Sequence, residues 1–245
     1  GSIRYNSFTF KIIRRNRKII NRRRRNKSTM SSSLRKEIKK IVSAQVDEEV
    51  EDKAYVMGAE NQQLYHNKPF YVGKLLQAIQ QGIEDGDQGT GISGNPKCRI
   101  GDQIELKNVN IRLWLSNKLD RPNVMYKGVL FWYPVDQVPS DPEVYKTQSN
   151  KMLDRYNDKN IRIIDQFILK STNNYAVDAN NHEHSYLTSF NKTYKNKKVT
   201  YDGLDDLPKK MELGFAIVTY DAYGTLQTDN IASFAWQSAL TFQDA

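Results

Sequence analysis

Apolar residues recur at every second position through much of the chain beyond residue 50. Near the C-terminus, Phe234, Trp236, Ser238, Leu240 and Phe242 share one face, and Ala235, Gln237, Ala239 and Thr241 share the other. A period of two belongs to a half-buried strand. Leu213, Phe215 and Ile217 alternate in the same way, but Ala216, Val218 and Tyr220 make the opposite face apolar too, which predicts a strand covered on both sides. Ile104 and Leu106 alternate on even numbers, whereas Val109, Ile111, Leu113 and Leu115 alternate on odd ones. In a regular strand this phase change would turn one set outward, so a bulge or break is expected near Lys107-Asn108.

Further strands are expected over 124–133, 161–170, 185–194 and, briefly, 198–201. Turn residues separate them: Asp120-Arg121-Pro122-Asn123, Pro139 to Pro142, Asn173-Asn174, Asn180-Asn181 and Asp202-Gly203. Leu75, Leu76 and Ile79 fall on one side of an expected helical stretch over 72–81, which leads into a glycine-rich loop from Gly82 to Gly94. Leu34, Ile38, Ile41 and Gln45 predict a short amphipathic helix after a polar hinge at Ser28–Ser33. About eight strands with unequal connections and almost no helix predict an all-β fold, a single eight-stranded antiparallel sandwich of the Greek-key or jelly-roll type. The 134–160 and 171–184 connections are expected to be surface loops.

Charge divides the chain in two. Of 37 basic and 28 acidic residues, positions 1–40 hold 15 basic residues and only Glu37 as an acid, a net of +14. Residues 41–245 hold the other 22 basic and 27 acidic residues, a net of −5. The domain reading is therefore a disordered basic arm over 1–40 and a β domain over 41–245, since a block of like charge cannot bury a core. Arg14, Arg15, Arg17 and Lys18 form one cluster, and Arg22, Arg23, Arg24, Arg25 and Lys27 a second. Arginine grips phosphate through two parallel hydrogen bonds, and each cation placed on a phosphate releases counterions. These nine residues are the candidate nucleic-acid contacts, sequence-blind and salt-dependent, with Tyr5, Phe8 and Phe10 as candidate stacking or anchoring groups. The same composition also fits a nuclear-localisation signal read by an import receptor, a mitochondrial transit peptide, or a lipid-binding segment.

Other chemistry is thin. No apolar run reaches 18 residues and no signal-peptide core is present, so membrane insertion is not expected. Cys98 is the single cysteine and forms no internal disulfide. His182-Glu183-His184 has the H-x-H spacing of a cupin metal site without its further ligands, and Glu84-Asp85-Gly86-Asp87 resembles the start of a calcium loop whose twelfth position is Pro96. Gly89 to Gly94 lacks the Lys-Ser/Thr of a P-loop, and no nucleophile–base order is recognisable. Neither metal, cofactor nor enzymatic activity is expected. Trp114, Trp132 and Trp236 all fall in expected strands as core or interface anchors, while the loop residues Tyr145, Tyr156 and Tyr175 are candidate subunit contacts.

Arg99-Ile100-Gly101-Asp102-Gln103-Ile104, followed by Leu106, Val109 and Ile111-Arg112, resembles a stretch at the start of strand C in capsid proteins of circular Rep-encoding single-stranded DNA viruses, the circovirus-like group. The preceding Gly-rich loop, the apolar 129–133 strand, Met152-Leu153-Asp154 before Ile161-Arg162-Ile163-Ile164-Asp165, Tyr201-Asp202-Gly203 and the terminal 240–245 segment resemble that group in order. The resemblance implies a virion protein, a jelly-roll subunit of a sixty-copy T=1 icosahedral shell. Its arm would package circular single-stranded DNA and carry the protein into the host nucleus for assembly. Cys98 and the 134–160 loop depart from the group's pattern, and no host attachment receptor is legible. The residues alone also fit a non-viral nuclear nucleic-acid-binding β-sandwich, and less well a cupin-type enzyme.

Overall fold

The computed structural model describes residues 32–49, 52–82, 98–170, 185–203, 205–222 and 226–245. The chain divides into two units, Gly1–Val50 and Glu51–Ala245. In the first, helix α1 spans Ser32–Glu49, where Leu34, Ile38 and Ile41 repeat at helical spacing among the good helix formers Arg35, Lys36, Glu37, Lys39 and Lys40. All ten side chains described in α1 are exposed.

The second unit is antiparallel β throughout its named strands. They are β1 (Lys53–Tyr65), β2 (Phe70–Val72), β3 (Gln103–Asn117), β4 (Val124–Pro134), β5 (Arg162–Lys170), β6 (Ser185–Asp202), β7 (Asp205–Pro208), β8 (Met211–Asp221) and β9 (Asn230–Asp244). One sheet runs β1-β9-β3-β6-β7 and the other β2-β8-β4-β5. Without β7 this is the interleaved order of an eight-stranded jelly roll, the sheets joined by crossovers. The ninth strand, β7, prolongs the edge of β6 through the Asp202-Gly203 turn. Arg99–Ile104 therefore leads into the third strand of the roll, position D, and not strand C.

The expected bulge lies in β3. Its register shifts between Leu106 and Asn108 against both neighbours, β6 and β9. Lys107 is left out of the pairing, and Ile104, Leu106, Val109, Ile111, Leu113 and Leu115 all reach the core. On β6 the same irregularity skips Tyr194 to Asn196, since Leu106 faces Lys197 and Asn108 faces Thr193. This explains why the sequence pattern breaks there: the two strands expected over 185–194 and 198–201 are one 18-residue strand with a bulge.

The alternation in β4 and β8 is fully used. Leu130, Trp132, Leu213, Phe215 and Ile217 face the core between the sheets. Val129, Phe131, Tyr133 and Ala216 face outward into a second apolar cluster with Val144, Tyr145 and Ile161. The 134–160 connection, expected to be a surface loop, is thus a cover for the four-stranded sheet, with a short helix α2 (Asp141–Val144) at its start. Tyr145 is buried within this cover, not a free loop tyrosine, and Tyr156 packs beside it.

The helix expected over 72–81 is absent. Val72 ends β2, Lys74 takes φ +59°, and only one turn follows, closed by Ile79 N–H on Leu76 O at 3.0 Å. The buried carboxylate of Glu212 on β8 accepts the N–H groups of Leu76 at 2.7 Å and Gln77 at 3.1 Å. A distant side chain thus supplies the acceptors that an earlier helical turn would have provided. Leu75, Leu76 and Ile79 still enter the core.

Candidate functional site

The nine arm residues, Arg14, Arg15, Arg17, Lys18, Arg22, Arg23, Arg24, Arg25 and Lys27, lie outside the described residues, as do His182 to His184, the 84–96 loop and Tyr175. Arg35, Lys36, Lys39 and Lys40 on α1 are described and exposed.

The Arg99-Ile100-Gly101-Asp102 motif is a buried fastener and not an open ligand site. Arg99 is 1% exposed. Its guanidinium carbon lies 4.2 Å from the centre of the Tyr201 ring, its Nη2 pairs with Asp206 at 2.9 Å, and its Nη1 donates to the Gly101 carbonyl. Gly101 has φ +77°, a backbone state that costs a side-chain-bearing residue energy. Ile100 N–H donates to Asp244 Oδ1 at 2.8 Å, and Asp244 pairs with Lys53 at 2.6 Å. Tyr201 N–H donates to Asp102 O at 2.7 Å, while the Tyr201 hydroxyl donates to Leu76 O at 3.1 Å. Burial first, then the Glu212 charge, pushes the Tyr201 hydroxyl well above its ordinary value. One short motif therefore ties together β1, β3, β6, β7 and β9.

A second polar cluster fastens the 134–160 cover. Lys127, buried on β4, donates to the carbonyls of Asp154 at 2.8 Å, Lys151 at 3.0 Å and Met152 at 3.3 Å. Its ammonium also lies 4.6 Å from the centre of the Tyr156 ring. Burial lowers its pKa, against the pull of Asp154. Asp154 in turn takes Thr147 Oγ1 at 2.6 Å and Lys151 Nζ at 3.3 Å. Burial raises the Asp154 carboxyl, but these bonds together bring it below its ordinary value. The Lys127 and Asp154 bonds are all internal, which marks a structural anchor.

Two of the three tryptophans are buried, Trp132 on β4 and Trp236 on β9. Trp114 is 56% exposed, and it stands in register with Leu187, 82% exposed, on the outer surface of the five-stranded sheet. An open groove of about 440 Å³ runs from this pair past Arg112, Ala59 and Gln237. Among the described residues, no group of three or more His, Cys, Asp or Glu side chains is placed to hold a metal ion. No helix among them is long and apolar enough to cross a membrane.

No family model matches this chain, and no curated protein matches it. Solved structures similar to this chain include two from plant viruses. One, of Desmodium yellow mottle tymovirus, is 8% identical with a TM-score of 0.36, covering 80% of this chain and 88% of its own. Another, of the empty head of turnip yellow mosaic virus, is 10% identical with a TM-score of 0.32, covering 80% of this chain and 82% of its own.

Proposed function

We propose that the chain is a viral capsid subunit of the circovirus-like group, which assembles with copies of itself into a closed shell and packages a circular single-stranded DNA genome through its basic arm. One pairing carries this reading: a jelly roll of order β1-β9-β3-β6 and β2-β8-β4-β5, preceded in the same chain by forty residues of net charge +14. A jelly roll with a ligand-poor interior is suited to tiling, and a long basic segment to holding polyphosphate without reading its bases. The arm needs no fixed fold for this, because the path of a packaged genome varies.

Sixty copies at +14 each bring roughly 840 positive charges into one lumen, a load that genomic phosphates neutralise. The contacts between copies draw on exposed apolar surface such as Trp114 and Leu187. The role is structural and not catalytic. Nuclear entry is assigned to the same arginine clusters. Removing residues 1–33 tests the division of labour: shells still form and their nucleic-acid content collapses. Full packaging by the truncated protein contradicts the role given to the arm.

A further inference from the structure

The body of the subunit is acidic in total, but its described residues include a concentrated basic feature. At the corner where β6 turns through β7 into β8, a cleft of about 290 Å³ is lined by Lys197, Lys198, Lys209 and Lys210, with Trp132 at its floor. Lys197 and Lys198 follow the β6 bulge. Lys209 and Lys210 form the bend between β7 and β8, which is held by Lys209 N–H on Thr200 O at 2.8 Å and by Val135 N–H on Lys210 O at 3.3 Å. Arg162, exposed on β5 and in register with Trp132, adds a fifth cation.

Among the described residues, none of these five cations has a carboxylate within ion-pair reach: Glu105, though opposite Lys198 in register, and the other described acids nearby are committed elsewhere. Glu105 pairs with Lys107 at 3.1 Å, Asp206 with Arg99 at 2.9 Å, and Glu212 is buried on backbone N–H groups. Lys197 is half-buried, and burial followed by the Arg162 charge lowers its pKa. Like charges gathered at a partly desolvated corner repel one another, and an anion placed among them relieves that repulsion.

The chemistry of the anion follows from the floor of the cleft. Lys197 Nζ lies 4.5 Å from the centre of the Trp132 ring, Trp132 is 4% exposed, and its indole N–H is occupied by the Tyr194 hydroxyl at 3.2 Å. The indole face is therefore covered and offers no platform for a base. Lysines are point charges without a fixed fork, which suits phosphates presented in varied orientations. We propose that this cleft is a second, folded contact for the sugar–phosphate backbone of single-stranded nucleic acid, gripping phosphates without reading bases. The assignment rests on the packaging reading above and extends it from the arm to the body.

The test uses the full chain as dilute subunits and compares the wild type with a K198Q/K209Q/K210Q variant, whose three positions are exposed and have no ion-pair partner among the described residues, and with an R22Q/R23Q/R24Q/R25Q arm variant. Anisotropy of labelled oligothymidylate and oligoadenylate is followed across a salt series. With about 0.7 in log–log salt slope for each single-strand phosphate contact, the triple variant should lose roughly 2 from the slope, equally for both oligonucleotides. Bound oligonucleotide should also shield Lys198, Lys209 and Lys210 of the wild type from acetylation, read by mass spectrometry. An unchanged slope in the triple variant, with the wild type and its arm still binding, overturns the cleft assignment and leaves packaging standing. An unchanged slope with lost self-assembly overturns it in favour of an acidic segment of another copy. Absence of any oligonucleotide binding by the wild type overturns both readings.

Discussion

The guanidinium of Arg99 and the ring of Tyr201 stack 4.2 Å apart inside the protein, joining the approach to β3 to the end of β6. The arginine is fully enclosed, yet its ion-pair partner Asp206 is partly open to solvent. The contact thus combines a cation–π interaction, charge-assisted hydrogen bonds and a tight glycine turn at one corner of the sandwich.

Replacement Arg99→Met keeps much of the volume and removes the charge. It should cost about 3 kcal/mol, the size expected when charge-assisted bonds and a desolvated cation–π contact are lost together. Urea unfolding of the variant measures it. A loss below about 1 kcal/mol would show that the motif is not a fastener.

Lys127→Met should act locally. Three carbonyls, those of Lys151, Met152 and Asp154, lose a shared donor in a buried setting. A cost of about 2 kcal/mol is expected from stranding such groups, concentrated in the 141–161 cover. Limited proteolysis should show faster cleavage between 146 and 155, with β3 and β9 still protected in hydrogen exchange. Uniform loosening of both sheets would contradict the anchoring role.

Gly128 is required by a close approach. A Cβ there would overlap ring carbons of Phe167 on the neighbouring strand. Gly128→Ala should therefore destabilise by about 1–3 kcal/mol through overpacking, and Phe167→Leu in the same chain should recover part of it. Thermal melting of the single and double variants reads the coupling. Strict additivity would exclude the contact as the cause.

His66 predicts the acid response. It is buried, its Nδ1 accepts the Asp221 N–H at 3.1 Å, and its ring lies 4.5 Å from that of Tyr220. Burial lowers its pKa from 6.5, outweighing the opposing pull of Asp221 and Asp229, with Arg121 adding to the lowering. Because the unfolded chain takes up the proton more readily, stability is fully present above pH 6.5 and is lost as pH falls through the lower folded value. Chemical denaturation between pH 7.5 and 5 should show this decline. His66→Gln, which keeps a hydrogen-bond acceptor without titrating, should flatten that part of the profile, and an unchanged profile would remove His66 as its source.

Much of the sheet structure was readable in the sequence because strand pairing leaves a period of two, and the β3 phase change announced its bulge. Features made by distant partners were not readable. The spacing of Leu75, Leu76 and Ile79 mimics a helix, but the acceptor that shapes the segment is Glu212, far along the chain. The burial of Tyr145 depends on Lys127 and on an apolar outer face of β4, which no local pattern of the 134–160 segment reveals. Arg99 stood out as part of a motif, but its function as a corner fastener required Tyr201 and Asp206 beside it. The basic cleft had a faint signal, the Lys197-Lys198 and Lys209-Lys210 doublets in an acidic body, overshadowed by the arginines of the arm.

The central claim, a self-assembling subunit that encloses nucleic acid, is tested most directly by electron microscopy of the purified full chain combined with its solution mass. Sixty copies of 28.4 kDa predict closed particles of roughly 1.7 MDa before nucleic acid is counted, with density or ultraviolet absorbance of nucleic acid inside. A monomer or small oligomer at every concentration and salt tested, with no particles in the images, would contradict it.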